Sequence, residues 1–244
     1  MTDSSPPYRR LPLIDALRGV AIVMMVVYHF CFDLSYLWLA DFDFYADPFW
    51  LSARTLILST FLFLVGVSLV LATGSGLNLR RYIRRLAWLI AAALLVSAAT
   101  RWMFGERFVF FGVLHFIAVA SVLGLPFVRA GWLNPLLAMA IIVLASMYHS
   151  AWFDQTGWRW IGLMTHKPPT EDYVPLLPWF GVVLFGIFAA PAIKNLAGHL
   201  PSRQTTGVRW LAFAGRHSLL IYLLHQPLLM GGLMLFAGAG SELR

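Results

Sequence analysis

The sequence predicts an all-α fold, a polytopic membrane helix bundle of about seven transmembrane helices, and three observations support this prediction. Of the 244 residues, 60% are hydrophobic and 12% are charged, whereas soluble domains average about 45–50% apolar and about 25% charged residues. Apolar runs of about 20 residues, which is enough to cross a bilayer, recur along the chain. The basic residues gather in the short connections between these runs, a pattern typical of membrane topology. We therefore expect one multi-pass domain over residues 1–244.

Seven apolar runs are candidate spans. The first follows a polar N-terminal tail, residues 1–13, and is too long for the apolar core of a signal peptide, so we expect it to be retained. The fifth is the shortest, and no linker rich in Gly, Ser or Pro separates a second domain. The predicted spans are residues 17–39, 55–73, 86–103, 108–128, 133–148, 176–193 and 218–236.

The distribution of charge predicts the orientation. With a cytoplasmic N-terminus, the inner side collects twelve of the eighteen basic residues and only two acidic ones, Asp3 and Asp15. The outer side then holds six basic residues and nine acidic ones. Because short loops rich in Lys and Arg stay in the cytoplasm, the N-terminus is predicted inside, and seven spans place the C-terminus outside.

Four arginines, Arg80, Arg81, Arg84 and Arg85, lie at the predicted inner side just before the third span. One interpretation is an anchor that binds anionic lipid. The other is a docking site for a phosphorylated cofactor, because arginine binds phosphate through two parallel hydrogen bonds. Nucleic acid is not an expected partner despite the net charge of +7, since the basic residues are not interleaved with stacking aromatics on a polar surface. Arg216 lies at the inner entrance of the last span and is a further candidate for binding the cofactor.

The longest outer connection, residues 150–174, contains three tryptophans, one histidine and a Pro-Pro pair. The tryptophans favour an interfacial belt over a platform on which a sugar stacks. A substrate on the outer side would nevertheless contact this loop, because it is the largest predicted outer surface.

Three histidines lie inside predicted spans: His29, His115 and His225. Arg18 precedes His29 by eleven residues, which returns to nearly the same helix face with a rise of roughly 16 Å. A lone histidine in a span can simply join two helices by a hydrogen bond. Three histidines at compatible depth instead favour a shared polar cavity, because ionisable groups are costly inside a membrane and mark functional sites.

Asp33 follows His29 by four residues, so the two side chains are neighbours on one helix face. A carboxylate there would hold the imidazole in one tautomer, and His29 could then act as a general base. In the alternative interpretation, Asp33 merely begins the acidic outer loop. Near His225, Tyr222 and Gln226 add hydrogen-bonding groups. No metal site is predicted, since the histidines lack carboxylates or cysteines at ligand spacing.

Five sequence blocks together resemble a known family: RLPLIDALRGVAIVMMVVYHFCFDL, FLFLVGVSL, FVFFGVLHFIAVASVL, PLLPWFGVVLFG and AGRHSLLIYLLHQPLL. Their order over nearly the whole chain is similar to that in bacterial members of the heparan-α-glucosaminide N-acetyltransferase catalytic-domain family. The first span, with its arginine and histidine eleven residues apart, also resembles that of the membrane acyltransferase-3 proteins.

The resemblance implies transfer of an acyl group across the bacterial inner membrane. Acetyl-CoA would bind from the cytoplasmic side and donate its acetyl group to a sugar or glycan acceptor on the outer side. The family's histidine maps onto His29, as a base or an acyl carrier, with Arg18 toward the CoA end, while His115 and His225 are further catalytic candidates. Two other classes stay open: a small transporter or flippase with histidines that bind protons or substrate, and a non-catalytic subunit that packs with partners. Homo-oligomers are compatible with each.

Overall fold

A computed structural model describes residues 11–74, 76–170, 172–199 and 205–241, with side chains to residue 236. All the regular structure in these ranges is helical, with eight α-helices joined by loops and short 3₁₀ segments. The helices are α1 (Pro12–Tyr36), α2 (Pro48–Thr73), α3 (Leu79–Phe104), α4 (Val113–Leu123), α5 (Leu133–Met147), α6 (Leu176–His199), α7 (Thr206–Arg216) and α8 (Ser218–Ser241).

Five of these helices, α1, α2, α3, α6 and α8, are long and apolar enough to cross a membrane. Helices α4 and α5 are also apolar but have only 11 and 15 residues, whereas a span needs about 20. The prediction of an all-α integral membrane protein is confirmed. The count of seven spans and the orientation of the termini stay predictions.

The fourth predicted span, residues 108–128, is helical only from Val113 to Leu123. The backbone before the helix bonds instead to side chains of α3: the Val109 N–H donates to Thr100 Oγ1 at 3.0 Å, and the Val109 carbonyl accepts from Ser97 Oγ at 2.6 Å. After Gly124 the chain turns into a 3₁₀ segment, Leu125–Arg129. Hydropathy alone cannot detect such side-chain bonds, which is why the predicted span was too long.

The ends of the first and last spans also differ from the prediction. Helix α1 begins at Pro12, so the last two residues of the predicted tail are helical, and residues 1–10 of that tail lie outside the described part of the chain. The segment before the last span was predicted as a loop but contains α7. This helix of 11 residues carries Arg209 in its middle, too short and too charged to register as a span.

Contacts divide the chain into two compact units. The first contains the described residues of 1–53 and 192–244, in which α1 packs against α7 and α8. Helices α1 and α7 cross in backbone contact, because a Cβ atom on Gly19 would overlap the carbonyl of Leu211 and one on Gly215 would overlap the carbonyl of Asp15. Small residues at such crossings are typical of membrane helices.

The second unit covers residues 54–191. Its core is apolar and includes three fully buried residues, Leu62, Phe116 and Leu184. Helices α2 and α6 cross in this unit as closely as α1 and α7 do in the first, since a Cβ on Gly66 would overlap the Val183 carbonyl and one on Gly186 the Phe63 carbonyl. This unit also carries the long loop of residues 150–174.

Asp154 organises that loop. Its carboxylate accepts hydrogen bonds from the Thr165 N–H at 2.9 Å and the Thr165 hydroxyl at 2.7 Å. These bonds are the main reason that the pKa of Asp154 is lowered from its ordinary value of 3.8. A lowered pKa stabilises the folded loop above the ordinary pKa, and this contribution is lost as the pH falls through the lowered value.

We expect Asp154→Ala to accelerate amide hydrogen exchange at Thr165 several-fold, because the acceptor of that N–H is removed. Asp43→Ala is the matched control, since Asp43 makes the same kind of carboxylate-to-backbone bonds with Tyr45 and Ala46 in a different loop. Exchange measured by mass spectrometry should change at Thr165 in the first variant only. Equal exchange at Thr165 in wild type and Asp154→Ala would contradict the assignment.

Candidate functional site

His29 lies in the C-terminal half of α1, and a hydrogen bond to its own helix fixes its ring. Its Nδ1 lies 2.9 Å from the carbonyl oxygen of Met25. A carbonyl only accepts hydrogen bonds, so this nitrogen carries the hydrogen and Nε2 keeps its lone pair. On the other side, the Tyr28 ring lies 5.7 Å from the His29 ring and packs edge-on against Phe44 and Trp50. His29 is thereby held in a tautomer that can accept a proton at Nε2.

His225 on α8 lies beside His29. Their ring centroids are 4.8 Å apart, with the planes at 77°. His225 Nδ1 donates to the Tyr222 carbonyl at 2.7 Å, so its Nε2 is also an acceptor. That Nε2 is buried and has no hydrogen-bond partner within the described ranges.

Asp33 completes the group and is fully buried, with 0% of its surface exposed. Its Oδ1 accepts a hydrogen bond of 2.6 Å from Nε2 of Gln226, the residue after His225. In the part of the chain that the structure describes, neither Asp33 Oδ2 nor Gln226 Oε1 has a hydrogen-bond partner. We call Asp33, His225 and Gln226 the acceptor cluster.

The geometry changes the part predicted for Asp33. The sequence predicted that this carboxylate holds the His29 imidazole in one tautomer, but the Met25 carbonyl holds Nδ1 and Asp33 bonds to Gln226. The helix supplies this carbonyl because a histidine side chain can reach back to the residue one turn earlier. Gln226 was named only as a neighbouring polar group, although it is the direct partner of Asp33.

His115 lies in the second unit, in the first turn of α4. Its Nδ1 accepts the Gly112 N–H at 3.3 Å, and its Nε2 lies 3.1 Å from Ser97 Oγ. The Ser97 hydroxyl in turn donates to the Val109 carbonyl. Both ring nitrogens are therefore engaged, in a pattern that caps the first turn of α4. This geometry supports a capping role, and the predicted catalytic role and three-histidine cavity stay untested.

A cleft of about 710 Å³ opens where α1 begins beside α7. It has two arginines, Arg209 and Arg216, and one carboxylate, Asp15, which lies 3.6 Å from the Arg18 guanidinium. The first residue of α7, Thr206, also lines it, so helical N–H groups that lack an intrahelical acceptor lie at its wall. Pro12, Trp210, Ala212 and Phe213 form the apolar part. Positive side chains and a helix N-terminus together suit an anion.

The other predicted cofactor ligands lie on the first turns of α3. Arg80, Arg81, Arg84 and Arg85 are all exposed, and Asn78 caps the helix by accepting the Arg81 N–H at 3.0 Å. The structure places them in the second unit, whereas Arg18 and Arg216 belong to the first. In the sequence, Arg209 contributed only to the assignment of the inner side. It could have been found as a site candidate because it lies next to Trp210 on a short amphipathic helix.

The comparisons with known proteins agree with the resemblance. The family model described as "Heparan-alpha-glucosaminide N-acetyltransferase, catalytic" matches residues 10–227, a range that contains His29, the acceptor cluster and the cleft. No curated protein and no solved structure matches the chain. Because the match covers most of its length, the chain belongs to the heparan-alpha-glucosaminide N-acetyltransferase catalytic family.

Proposed function

We propose that this membrane protein transfers an acetyl group from cytoplasmic acetyl-CoA to a sugar or glycan acceptor on the outer side of a bacterial inner membrane. Membership of an acetyltransferase family supports the reaction class. The observation that carries the proposal is the state of His29: its Nδ1 is bound to its own helix, and its Nε2 is free to take a proton beside a buried polar cluster.

The cleft between α1 and α7 is the proposed site for the CoA phosphates. Arg209 and Arg216 supply the positive charge, and the N-terminus of α7 supplies backbone donors. Asp15, on the wall of this cleft, precedes His29 by fourteen residues on the same helix, a rise of roughly 21 Å. CoA carries its thioester at the end of a long flexible arm, which suits phosphates at one end of α1 and chemistry at the other.

In the proposed step, His29 Nε2 takes the proton of the acceptor hydroxyl or amine as that atom attacks the thioester carbonyl. The new C–O or C–N bond forms, the C–S bond breaks, and the proton passes to the departing sulfur. If His29 instead attacks first, the bond from Nε2 to the acetyl carbon forms, the C–S bond breaks and CoA leaves as a thiolate. The acceptor then attacks this acetyl group, the bond to Nε2 breaks, and the acceptor proton passes to the thiolate. Both versions use the lone pair that Nε2 has in the neutral tautomer, in which Nδ1 donates to the Met25 carbonyl.

Orientation follows from the charge pattern. The cleft arginines and Arg18 belong to the set of basic residues assigned to the cytoplasmic side. His29 lies deeper in the lipid-covered part of α1, and the loop of residues 150–174 is the proposed outer surface that the acceptor meets. The arginines of α3 belong to the same set assigned to the inner side, where anionic lipid or a phosphorylated cofactor can bind them.

Release of CoA from acetyl-CoA by the purified protein tests this proposal. We expect release that depends on an added amino sugar or glycan fragment. Arg209→Gln and Arg216→Gln should each raise the KM for acetyl-CoA by roughly 10- to 100-fold, because losing a charged hydrogen bond costs about 1.5–3 kcal/mol.

Lys194→Gln is the control, because it removes an exposed positive charge of the same unit away from the cleft. Its KM for acetyl-CoA should match that of wild type. An unchanged KM in both arginine variants would remove the cleft from the proposal. Absence of CoA release from wild type with every acceptor tried would overturn the function itself.

A further inference from the structure

Each of the three unpartnered atoms of the acceptor cluster lacks a hydrogen-bond donor in the described part of the chain. Asp33 Oδ2 and Gln226 Oε1 can only accept hydrogen bonds, and His225 Nε2 is an acceptor because its Nδ1 carries the hydrogen. Gln226 donates an amide N–H to Asp33 Oδ1. This bond uses neither the second oxygen of Asp33 nor the oxygen of Gln226. Three acceptor atoms of the cluster therefore have no donor bound to them among the residues that the structure describes.

Such a shortage is costly in a membrane interior. Burying a polar group without a partner destabilises the folded protein, and Asp33 is fully buried. A ligand that donates hydrogen bonds to these atoms would remove that cost. The missing partner must donate several hydrogen bonds from a compact group, as hydroxyls or an amine do. An acyl group, a thioester or a lipid tail cannot supply them.

We infer that the acceptor cluster is the subsite that selects the acyl acceptor, and that Gln226 is a specificity-determining residue in it. This inference rests on the proposed function. His225 connects the subsite to the chemistry, since its ring lies 4.8 Å from that of His29. An acceptor held by its donors at Asp33, Gln226 and His225 has a hydroxyl or amine beside His29, which takes the proton of the attacking group.

The position of the partners supports a binding role over a purely structural one. Asp33 and Gln226 join α1 to α8 by one hydrogen bond, which would suffice to hold the helices. A packing role alone would be served equally by two amides, which satisfy each other in both directions. The carboxylate leaves an oxygen for an outside donor.

Three probes that share the pyranose ring test the inference by their donors: glucosamine, glucose and the bulkier penta-O-methyl glucose, which has none. Thermal unfolding in detergent should show that the first two raise the Tm of wild type and the third does not, because a ligand of the native state stabilises it. Gln226→Leu should lose this response. Its KM for glucosamine as acceptor should rise at least 10-fold (about 1.4 kcal/mol), with the KM for acetyl-CoA unchanged.

Asp33→Asn is a second variant that shows whether a lost response to the probes comes from misfolding. The new amide can donate to Gln226 Oε1 while its own oxygen accepts from Gln226 Nε2, so residues 33 and 226 satisfy each other. This variant should unfold at a Tm equal to or above that of wild type and yet lose the response to glucosamine. His199→Gln, an exposed histidine variant, should keep it.

The inference is overturned if penta-O-methyl glucose stabilises wild type as much as glucose does, or if no probe stabilises it. It is also overturned if Gln226→Leu and Asp33→Asn keep the wild-type response. Its failure differs from failure of the proposed function. Acetyl transfer to glucosamine with an unchanged KM in Gln226→Leu and Asp33→Asn overturns only the subsite. Donor-dependent stabilisation without CoA release overturns the transferase and is the result expected of a transporter.

Discussion

Replacing His29 with glutamine is expected to reduce acetyl transfer by roughly 10²- to 10⁴-fold, the usual contribution of a positioned general base. Glutamine fills a similar volume and can still bond to the Met25 carbonyl through its amide, so the helix should stay intact. It has no nitrogen that accepts a proton near neutral pH. The loss should therefore fall on kcat, with the KM for acetyl-CoA within about two-fold of wild type.

His199→Gln is the matched control. The His199 ring makes the same bond to the carbonyl four residues earlier, with Nδ1 2.7 Å from the Asn195 carbonyl, but the residue is exposed at the end of α6. CoA release and labelled product should both be measured for the two variants. If His29→Gln and His199→Gln transfer acetyl groups at equal rates, His29 is not the base, and His225 is the next candidate in this unit.

The same pair of variants separates the two versions of the chemistry. Labelled acetyl-CoA without an acceptor should leave label on wild-type protein if Nε2 carries the acetyl group, and none if transfer is direct. His29→Gln should leave none in either case. Label retained by His29→Gln would place the acyl carrier on another residue.

The hydrophobic pattern was sufficient to predict membrane helices because the bilayer imposes a length and an apolar composition on each span. The predicted second span and helix α2 end at the same residue, Thr73. The pattern failed at residues 108–112, where side chains of α3 bond to the backbone of Val109, and at α7, a short helix with one buried and one exposed face. Trp210 of α7 is 68% exposed while Ala212 is buried. Local hydropathy does not record which element lies on the other side of a helix.

The candidate site was predictable in its residues but not in its contacts. Polar groups in apolar runs identify His29, Asp33 and His225, because each is costly there. Spacing on one helix then suggested Asp33 as the partner of His29. The actual partner of Asp33 is 193 residues away in the chain, and only the packing of α1 against α8 brings the two together. The same limit explains His115, whose sequence neighbourhood does not reveal that both its nitrogens are engaged.

A substitution at the crossing of α1 and α7 should have the largest effect on stability. In Gly215→Ala, the added Cβ would overlap the Asp15 carbonyl oxygen and lie 2.9 Å from the Gly19 nitrogen. These are backbone atoms of α1, so no side chain can rotate away, and the helices must separate. Overpacking of this kind costs about 1–3 kcal/mol, and more where backbone must move.

Gly207→Ala is the control on the same helix, because its Cβ would meet nothing within 4 Å. There alanine should leave stability unchanged or raise it by about 0.4–1 kcal/mol, since it restricts the unfolded chain. Thermal unfolding of both variants in detergent measures the difference. Equal midpoints for Gly215→Ala and Gly207→Ala would contradict the close crossing.

The crossing should also control the reaction, because α1 carries His29 and Asp33 while α7 supplies the arginines of the cleft. Separating the helices moves Arg209 and Arg216 from Asp15 and displaces the chain that leads into α8. Gly215→Ala should therefore raise the KM for acetyl-CoA and lower kcat together, even at temperatures where the protein is folded. By contrast, His29→Gln should lower only kcat, and Arg209→Gln should raise only the KM for acetyl-CoA. A folded Gly215→Ala protein with wild-type kinetics would show that the cleft and His29 do not depend on this contact.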